Sequence, residues 1–385
     1  MSRIGQLLKG LLPGGVEFRP VGEAFAVVQT GRGIQRSEYA LGTKYPIVDQ
    51  GLGLIAGYTD DPTLLVTPGD YVVFGDHTRA VKWVNFEFAP GADGTKVLRA
   101  ADGLLPKFGY YALANISIPS RGYNRHWTIL RDERIPVPPV EVQEEVIGIL
   151  DTFTELEAEL EAELESRRRQ YEHYRDALIV SAYRAGVSRI ALADLGQFIR
   201  GRRFTWKDVV EGDGIPAIHY SEIYTHYGVA TSAALSHVRR ELAPTLRMAM
   251  PGDVVLAAVG ETVEDLGKAV AWVGSSPVAI HDDTFLFRSN LDPKFVAYCT
   301  QTADFQAQKG RHVARAKVKR ISGTGLGNIT IPVPTLAEQQ RIVASLDAFD
   351  VLVNDLNVGL PAELAARRRQ YEYYRDKLLT FEEVA

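Results

Sequence analysis

Apolar residues between Pro138 and Leu178 fall on one stripe: Val146, Leu150, Phe153, Leu156, Leu160, Leu164, Tyr171, Tyr174 and Leu178 follow one another at steps of three, four or seven. That period predicts a single long helix with one apolar face. A second stripe, Ile342, Leu346, Phe349, Leu352, Leu356, Leu360, Leu364, Tyr371, Tyr374 and Leu378, repeats it with one extra four-residue step, about one helical turn. Prolines cannot sit inside a helix, so the pairs ahead of each stripe place the helix starts near Val140 and Leu336. Glu144, Glu145 and Glu338 then lie at the positive N-terminal ends. Gly359 and Pro361 predict a kink or short break across Asn357 to Pro361.

Each helix spans roughly 60 Å at about 1.5 Å per residue, and with its other faces charged it needs a partner. Packing the two copies on each other as an antiparallel coiled coil meets that need. The seam would take Leu150, Phe153, Leu156, Leu160, Leu164 and Tyr171 from the first copy, and Leu346, Phe349, Leu352, Leu356, Leu360, Leu364 and Tyr371 from the second. The alternative is two solvated helices, each packed on its own domain.

The helical segments are copies of one another. Arg167-Arg168-Arg169-Gln170-Tyr171-Glu172-His173-Tyr174-Arg175-Asp176-Ala177-Leu178 and the segment Arg367 to Leu378 are identical at ten of twelve positions. Upstream, Ile135-Pro136-Val137-Pro138 recurs as Ile331-Pro332-Val333-Pro334, and Leu150-Asp151-Thr152-Phe153 as Leu346-Asp347-Ala348-Phe349. Outside the helices lie two segments, roughly Val16 to Arg134 and Val187 to Thr330, rich in glycine, aromatic and β-branched residues. Runs such as Asp70-Tyr71-Val72-Val73-Phe74, Val81-Lys82-Trp83-Val84 and Asp253-Val254-Val255-Leu256-Ala257 predict strands, two of them following Pro68-Gly69 and Pro251-Gly252 turns. Leu105-Pro106-Lys107-Phe108 in the first resembles Asp292-Pro293-Lys294-Phe295 in the second. The fold class is therefore α+β: two mixed α/β domains (1–134 and 187–330) separated by two long helices (135–186 and 331–385) in a pseudo-two-fold arrangement. Met1 to Leu12 stands in for the end of a preceding helix.

Composition adds location more than fold. A hydrophobic share of 46% and a charged share of 24% are those of an ordinary folded protein. No run approaches the ~18 apolar residues of a membrane helix, and the N-terminus lacks the apolar centre of a signal peptide; the expected location is cytoplasmic. The single cysteine, Cys299, excludes an internal disulfide or multi-cysteine zinc site and reads as a small buried hydrophobe. The net charge of −5 opposes nucleic-acid binding, which needs cations against phosphates, but the charges are segregated. Six glutamates crowd Glu155 to Glu165, whereas Lys309 to Arg320 holds six Lys or Arg and no acid.

The domain order resembles the specificity subunits of Type I restriction-modification systems over nearly the whole chain. The resemblance is carried by Ile135-Pro136-Val137-Pro138-Pro139 with Gln143, and by Ile331-Pro332-Val333-Pro334 with Gln339 and Gln340. Further matches are the opening Leu11-Leu12-Pro13-Gly14-Gly15-Val16-Glu17-Phe18, the run Phe74-Gly75-Asp76-His77-Thr78-Arg79, and Lys309-Gly310-Arg311-His312-Val313 leading to Gly327-Asn328-Ile329. It implies that each globular unit is a target-recognition domain and that the helices bind adenine methyltransferase subunits, two copies of them. It also implies that a separate motor and nuclease subunit joins through the complex. Two readers on a rigid spacer would recognise a bipartite duplex sequence.

Candidate DNA contacts follow from side-chain chemistry. In the second domain Lys309, Arg311, His312, Arg315, Lys317 and Lys319 suit phosphates, with Gly310 permitting close backbone approach; Arg202, Arg203, His219 and Tyr220 are further candidates. In the first, Arg121, Tyr123, Asn124 and Arg125 precede the helix, and Arg and Asn make the paired hydrogen bonds that suit base edges. His77 and Arg79 join them, while Asp76 and Thr78 fit a turn-stabilising role. Catalytic signatures are missing: no Asn is followed by Pro, Thr262 stands where a phosphate loop ending in Gly267-Lys268 needs glycine, and Gly323-Thr324-Gly325-Leu326-Gly327 precedes a strand instead of following one. His281-Asp282-Asp283 reads as a hydrogen-bonded loop, not a metal site. The expectation is a non-catalytic protein without cofactor or metal. The competing readings are a coiled-coil scaffold joining two protein-binding domains, against which the basic run argues, and a nuclease or methyltransferase with a divergent site.

Overall fold

The computed structural model describes residues 14–40, 42–120, 122, 124–184, 186–313, 319–354 and 359–384. Met1 to Leu12, read as the end of a preceding helix, lies outside the described residues. Six helices carry the argument: α1 (Pro106–Ala114), α2 (Val140–Arg184), α3 (Pro293–Gln301), α4 (Ala303–Lys309), α5 (Leu336–Asn354) and α6 (Gly359–Leu379). The 45 residues of α2 run to roughly 68 Å. It starts at Val140 and α5 at Leu336, where the prolines placed them. The second spacer is two helices, with Gly359 at φ +76° opening α6 and its Cβ position only 2.5 Å from the Leu352 carbonyl oxygen. Only glycine fits there. Pro361 falls in the first turn of α6, where a missing N–H is harmless.

Two compact units divide the chain, Met1–Glu161 with Glu363–Ala385, and Ala162–Ala362. In the first unit, strand Glu17–Pro20 pairs antiparallel with Arg134–Val137. A four-stranded sheet orders Phe25–Val27, Thr95–Ala100, Tyr71–Gly75 and Val81–Val84, and a three-stranded sheet orders Gly57–Thr59, Tyr45–Val48 and Ala89–Pro90. The last pairing is parallel. Helix α1, opened by Pro106, buries Phe108, Tyr111, Ala112 and Leu113 in a core that includes Val142, Val146 and Leu150 of α2 and Leu378 and Leu379 of α6. The spacer helices therefore pack on this domain and on each other. Phe153 stacks on Tyr374 at 5.4 Å between ring centres, and Arg368 reaches Glu157 at 2.7 Å and Glu161. Residue numbers rise along one helix as they fall along the other, so the pair is antiparallel.

The second unit is built the same way with added strands. Arg189–Ala191 pairs with Thr330–Pro332. One five-stranded sheet orders Gly196–Arg200, Thr284–Ser289, Val254–Ala257, Ala269–Trp272 and Ala230–Thr231. The other orders Val209–Val210, Ser236–Val238, Ile215–Ile218, Val278–Ile280 and Arg247–Ala249. Tyr171 and Ile179 of α2 join Ile342, Val343, Leu346 and Val353 of α5 in its core. Tyr174 packs on Phe349 at 4.9 Å, and the Tyr171 hydroxyl donates to Asp350 at 3.2 Å, again antiparallel. Cys299 is buried there, and burial pushes its thiol pKa up.

The expected seam needs correction at Leu352, which is 54% exposed, and at Leu156, 41% exposed; Phe349 is also 41% exposed but keeps its place in the seam against Tyr174. At about 100° per residue, Leu156 and Leu352 lie six residues past the buried Leu150 and Leu346, roughly 120° off their face. Val353, seven past Leu346, returns to within about 20° of it and is buried. Leu164, Leu364 and Tyr171 are buried and Phe153, Leu160, Leu360 and Tyr371 half-buried; Leu356 lies outside the described residues. Among the described residues, no helix is long and apolar enough to cross a membrane.

The glutamines of the two proline motifs acquire a role here. Gln143, fully buried, accepts from the Leu105 N–H at 2.7 Å and donates to the carbonyls of Pro138 and Gly103, each at 2.7 Å. Gln339 accepts from the Asp292 N–H at 2.9 Å and donates to Pro334 at 2.8 Å. Both satisfy backbone groups that proline-rich, non-helical chain would leave unpaired in the interior. About two turns further along each spacer helix, a carboxylate closes the same joint. Asp151 accepts from Lys107 at 2.7 Å and from the Tyr111 hydroxyl at 2.6 Å; Asp347 accepts from Lys294 and from the Tyr298 hydroxyl, each at 2.7 Å.

Candidate nucleic-acid interface

In the first unit the strand Tyr71–Gly75 ends on Asp76, which is buried. Its carboxylate accepts from the Trp127 N–H at 2.7 Å, and its carbonyl accepts from the His126 N–H at 2.8 Å. Its own N–H donates to Gly94 at 2.7 Å. Thr78 donates to the Gln50 carbonyl, and the Gln50 side chain accepts from the His77 N–H at 3.1 Å. Asp76 and Thr78 are thus turn-stabilising, and they draw three chain segments together: the 76–79 turn, the 124–127 stretch and the loop after Asp49. Arg79 adopts φ +65°, a left-handed conformation that costs a non-glycine residue about 1 kcal/mol or more. Its guanidinium donates to the Ile118 carbonyl at 2.8 Å.

The structure therefore gathers the described candidates of this unit on one rim. Arg79, Asn124 and Arg125 are exposed, and His77 is half-buried with Nε2 3.9 Å from Asp93. Arg121 and Tyr123 lie outside the described residues. The same rim carries a feature the sequence reading passed over: the loop Gly51-Leu52-Gly53-Leu54-Ile55, with Leu52 86% exposed. Its signal was an apolar run interleaved with glycine instead of a strand period.

In the second unit the basic run divides. Lys309 is fully buried, and its ammonium donates to the Leu266 carbonyl at 2.7 Å, the Glu264 carbonyl at 3.4 Å and the Gln306 side chain. Burial pulls its pKa down to about 8. Lys309 is thus an internal brace and not a phosphate contact, because interior carbonyls occupy every donor the DNA would need. Arg311 is exposed, and His312 and Lys319 are half-buried; Arg315 and Lys317 lie outside the described residues. The short strand Lys319–Arg320 pairs with Val259–Gly260, and Arg320 reaches Asp283 at 3.1 Å. Arg200 lies 3.9 Å from the same carboxylate and donates to the Asp282 carbonyl at 2.8 Å. These arginines, His312 and Phe285 line a half-open cleft of about 350 Å³.

Arg202 and Arg203 are exposed nearby in sequence, but His219 is buried and needs correction as a DNA contact. It caps the following short helix, its N–H donating to Glu222 at 2.9 Å and its Nδ1 lying 2.8 Å from the Ser221 hydroxyl. Its ring lies 4.4 Å from that of His281 and 4.6 Å from that of Trp206. Burial, and secondarily the neighbouring imidazole, lower its pKa to about 4. Tyr220 is half-buried against both histidines. The His281-Asp282-Asp283 triplet has ligand atoms within 4.8 Å of one another, yet the His281 Nε2 lies 3.0 Å from the Phe204 carbonyl and its Nδ1 accepts from the Asp283 N–H at 3.1 Å. Asp283 meanwhile holds Arg200 and Arg320. The triplet is a hydrogen-bonded loop that fixes arginines.

Comparison with known proteins bears on the family of the chain. A profile of the Type I restriction modification DNA specificity domain matches twice, over residues 13–166 and 189–366. The specificity subunit of the Type I restriction enzyme EcoR124I/EcoR124II of Escherichia coli is 30% identical, covering 99% of this chain and 97% of that protein. Two solved structures share the fold. The Type I restriction-modification S subunit of M. genitalium superposes with a TM-score of 0.52 at 15% identity over 95% of this chain and 96% of that one. A chain from a structure of the assembly and conformational transition of the type I R-M system gives 0.57 at 18% identity, over 95% and 98%. With the profile matched on both halves and a relative at 30% identity along nearly its whole length, the chain belongs to the DNA-specificity subunits of Type I restriction-modification systems.

Proposed function

We propose that each unit reads one half of a bipartite duplex site, the first through His77, Arg79, Asn124 and Arg125, the second through Arg200, Arg202, Arg203, Arg311, His312, Lys319 and Arg320. The observation that carries this is the convergence of separate chain segments onto one acidic anchor in each unit, Asp76 in the first and Asp283 in the second. Cations and amide side chains held in place this way suit phosphates and base edges. The chain itself is non-catalytic in this reading and takes no cofactor. Two adenine methyltransferase subunits dock on the exposed faces of α2, α5 and α6, and motor and nuclease subunits join through them in the cytoplasm. The domain limits of the reading remain 1–134, 135–186, 187–330 and 331–385, with each spacer helix belonging functionally to both units.

The test replaces Arg125 with Ala in one variant and Arg311 with Ala in another. Each is co-expressed with the modification subunits, and methylated adenines are mapped across a genome. Each substitution should relax or abolish one half-site only, at about 1–3 kcal/mol per lost base contact. Equal loss at both half-sites, or recovery of the chain with no methyltransferase, would refute the assignment and favour a protein scaffold.

A further inference from the structure

Trp206 is 60% exposed, whereas Trp83 and Trp127 are half-buried and Trp272 buried. Its exposure is held, not loose. Asp208 accepts from the Thr205 N–H at 2.8 Å and hydroxyl at 2.9 Å, and the Asp208 carbonyl accepts from the Arg239 N–H at 3.0 Å. Arg239 also pairs with the Asp208 carboxylate. One face of the indole rests on His219, which packs in turn on His281. The other is presented outward by a turn pinned at both ends, so little ordering cost remains when something covers it.

What the ring faces is suggested by its neighbours. Arg202, Arg203 and Lys207 are exposed in the same short segment, and among the described residues no carboxylate pairs with them. Of the nearby acids, Asp208 is engaged by Arg239 and Asp283 by Arg200 and Arg320, while the Asp282 carboxylate lies 3.3 Å from His281. The surface therefore joins a held aromatic face to three exposed cations of the same short segment. That combination fits a polyanion that also offers an apolar group, and in the major groove of duplex DNA that group is the thymine methyl. An acidic protein would match the cations but gives no specific reason for a fixed indole among them.

We propose that Trp206 is an apolar base-contact residue of the second unit, its outer face lying against a thymine methyl of the half-site which that unit reads. This rests on the reading of the second unit as a DNA reader. It adds sequence discrimination that arginines on phosphates cannot supply.

The test uses the chain assembled with the modification subunits of its own system and a duplex carrying the methylated site. Each thymine of the second half-site is replaced in turn by deoxyuridine, which lacks only the methyl. For the unaltered protein, one position should weaken binding about fourfold, the worth of one buried methyl. Trp206→Ala should bind the thymine duplex at least about fourfold more weakly and no longer distinguish thymine from uracil there. Trp206→Phe should keep part of the distinction but lose the fluorescence quench that DNA produces in the parent. If no thymine position matters in the parent, or if Trp206→Ala keeps the full distinction, the proposal is wrong. If Trp206→Ala instead impairs assembly with the modification subunits while thymine and uracil are still distinguished, the face is a protein contact. Arg203→Ala and Arg311→Ala are measured alongside: if both also bind like the parent, the DNA reading of this unit fails. If they weaken binding and Trp206 is silent, only the present inference fails.

Discussion

Replacing Asp151 with Ala should destabilise the first unit by about 2–4 kcal/mol, and the structure says where that energy resides. The carboxylate accepts from Lys107 at 2.7 Å and from the Tyr111 hydroxyl at 2.6 Å. The lysine side chain is 33% exposed, so its ion pair is screened by water and contributes no more than about 1 kcal/mol. Tyr111 is 3% exposed, and its phenol is held in the neutral form by burial first and the carboxylate second, both of which push its pKa up. A hydrogen bond to a charged acceptor is worth about 1.5–3 kcal/mol, and the orphaned hydroxyl costs about as much as the bond it lost. The tyrosine therefore accounts for most of the effect.

Urea unfolding of four proteins measures it: parent, Asp151→Ala, Tyr111→Phe and the double variant. The coupling between the two positions should be about 1.5–3 kcal/mol, and Asp151→Asn, which retains an acceptor for the hydroxyl, should lose less than half of what Asp151→Ala loses. Hydrogen exchange should localise the weakening to the first unit, and Asp347→Ala should produce the same pattern in the second. A coupling below about 0.5 kcal/mol would mean that the bond between Asp151 and Tyr111 does not help to hold α1 on α2, and the argument from the carboxylate would fail.

Acid should loosen the second unit first. His219 has a folded pKa of about 4 and His281 is also lowered, so between pH 6.5 and 4 the unfolded chain binds more protons; stability is full above about 6.5 and falls with pH. His219→Gln should flatten that dependence in a melting series. Lys309→Ala should cost about 2–4 kcal/mol by leaving buried carbonyls without a donor while the salt dependence of DNA binding stays unchanged; a slope reduced by one phosphate would restore Lys309 to the interface. For the parent, stability from this site should rise with pH between about 8 and 10.5, because the folded lysine gives up its proton before the unfolded one does. Inserting Glu-Ala-Glu-Leu after Leu164 lengthens α2 by about 6 Å. The unread gap should widen by one or two base pairs of about 3.4 Å each with both half-sites intact, and an unchanged gap in methylome sequencing would detach gap length from this helix.

What the sequence made legible was local or periodic. Val140 and Leu336 could be named as helix starts because proline forbids anything earlier, and Gly359 and Pro361 marked the break because glycine admits a left-handed backbone and proline lacks a helical donor. The antiparallel pairing followed from two apolar stripes that needed cover. Leu352 misled because a step of three looks helical pair by pair, while two such steps in succession drift off the face that Val353 regains. Lys309 misled for a different reason. In the sequence it is one cation among six, and the carbonyls of Glu264 and Leu266 that claim it come from a loop more than 40 residues away. His219 was chosen for its chemistry, but its burial depends on Trp206 and His281, which only the folded sheets bring to it.

The repetition of the joint bears on how a reader can be mounted on a spacer at all. Apolar packing between a domain and a helix is non-directional and tolerates small rotations at little cost, yet a base contact is lost when a side chain moves by about an ångström. Lys107 and Tyr111 in one unit, and Lys294 and Tyr298 in the other, grip opposite oxygens of a single carboxylate. Gln143 and Gln339 pin the chain about two turns earlier. Two directional anchors on one helix face fix both the position and the rotation of α1 or α3, where either anchor alone would leave a pivot. The candidate surfaces differ between the units, with an exposed leucine-tipped loop in the first and an exposed indole in the second. The joint stays the same because it serves what the two units share, which is a fixed orientation on a helix and not a sequence to be read.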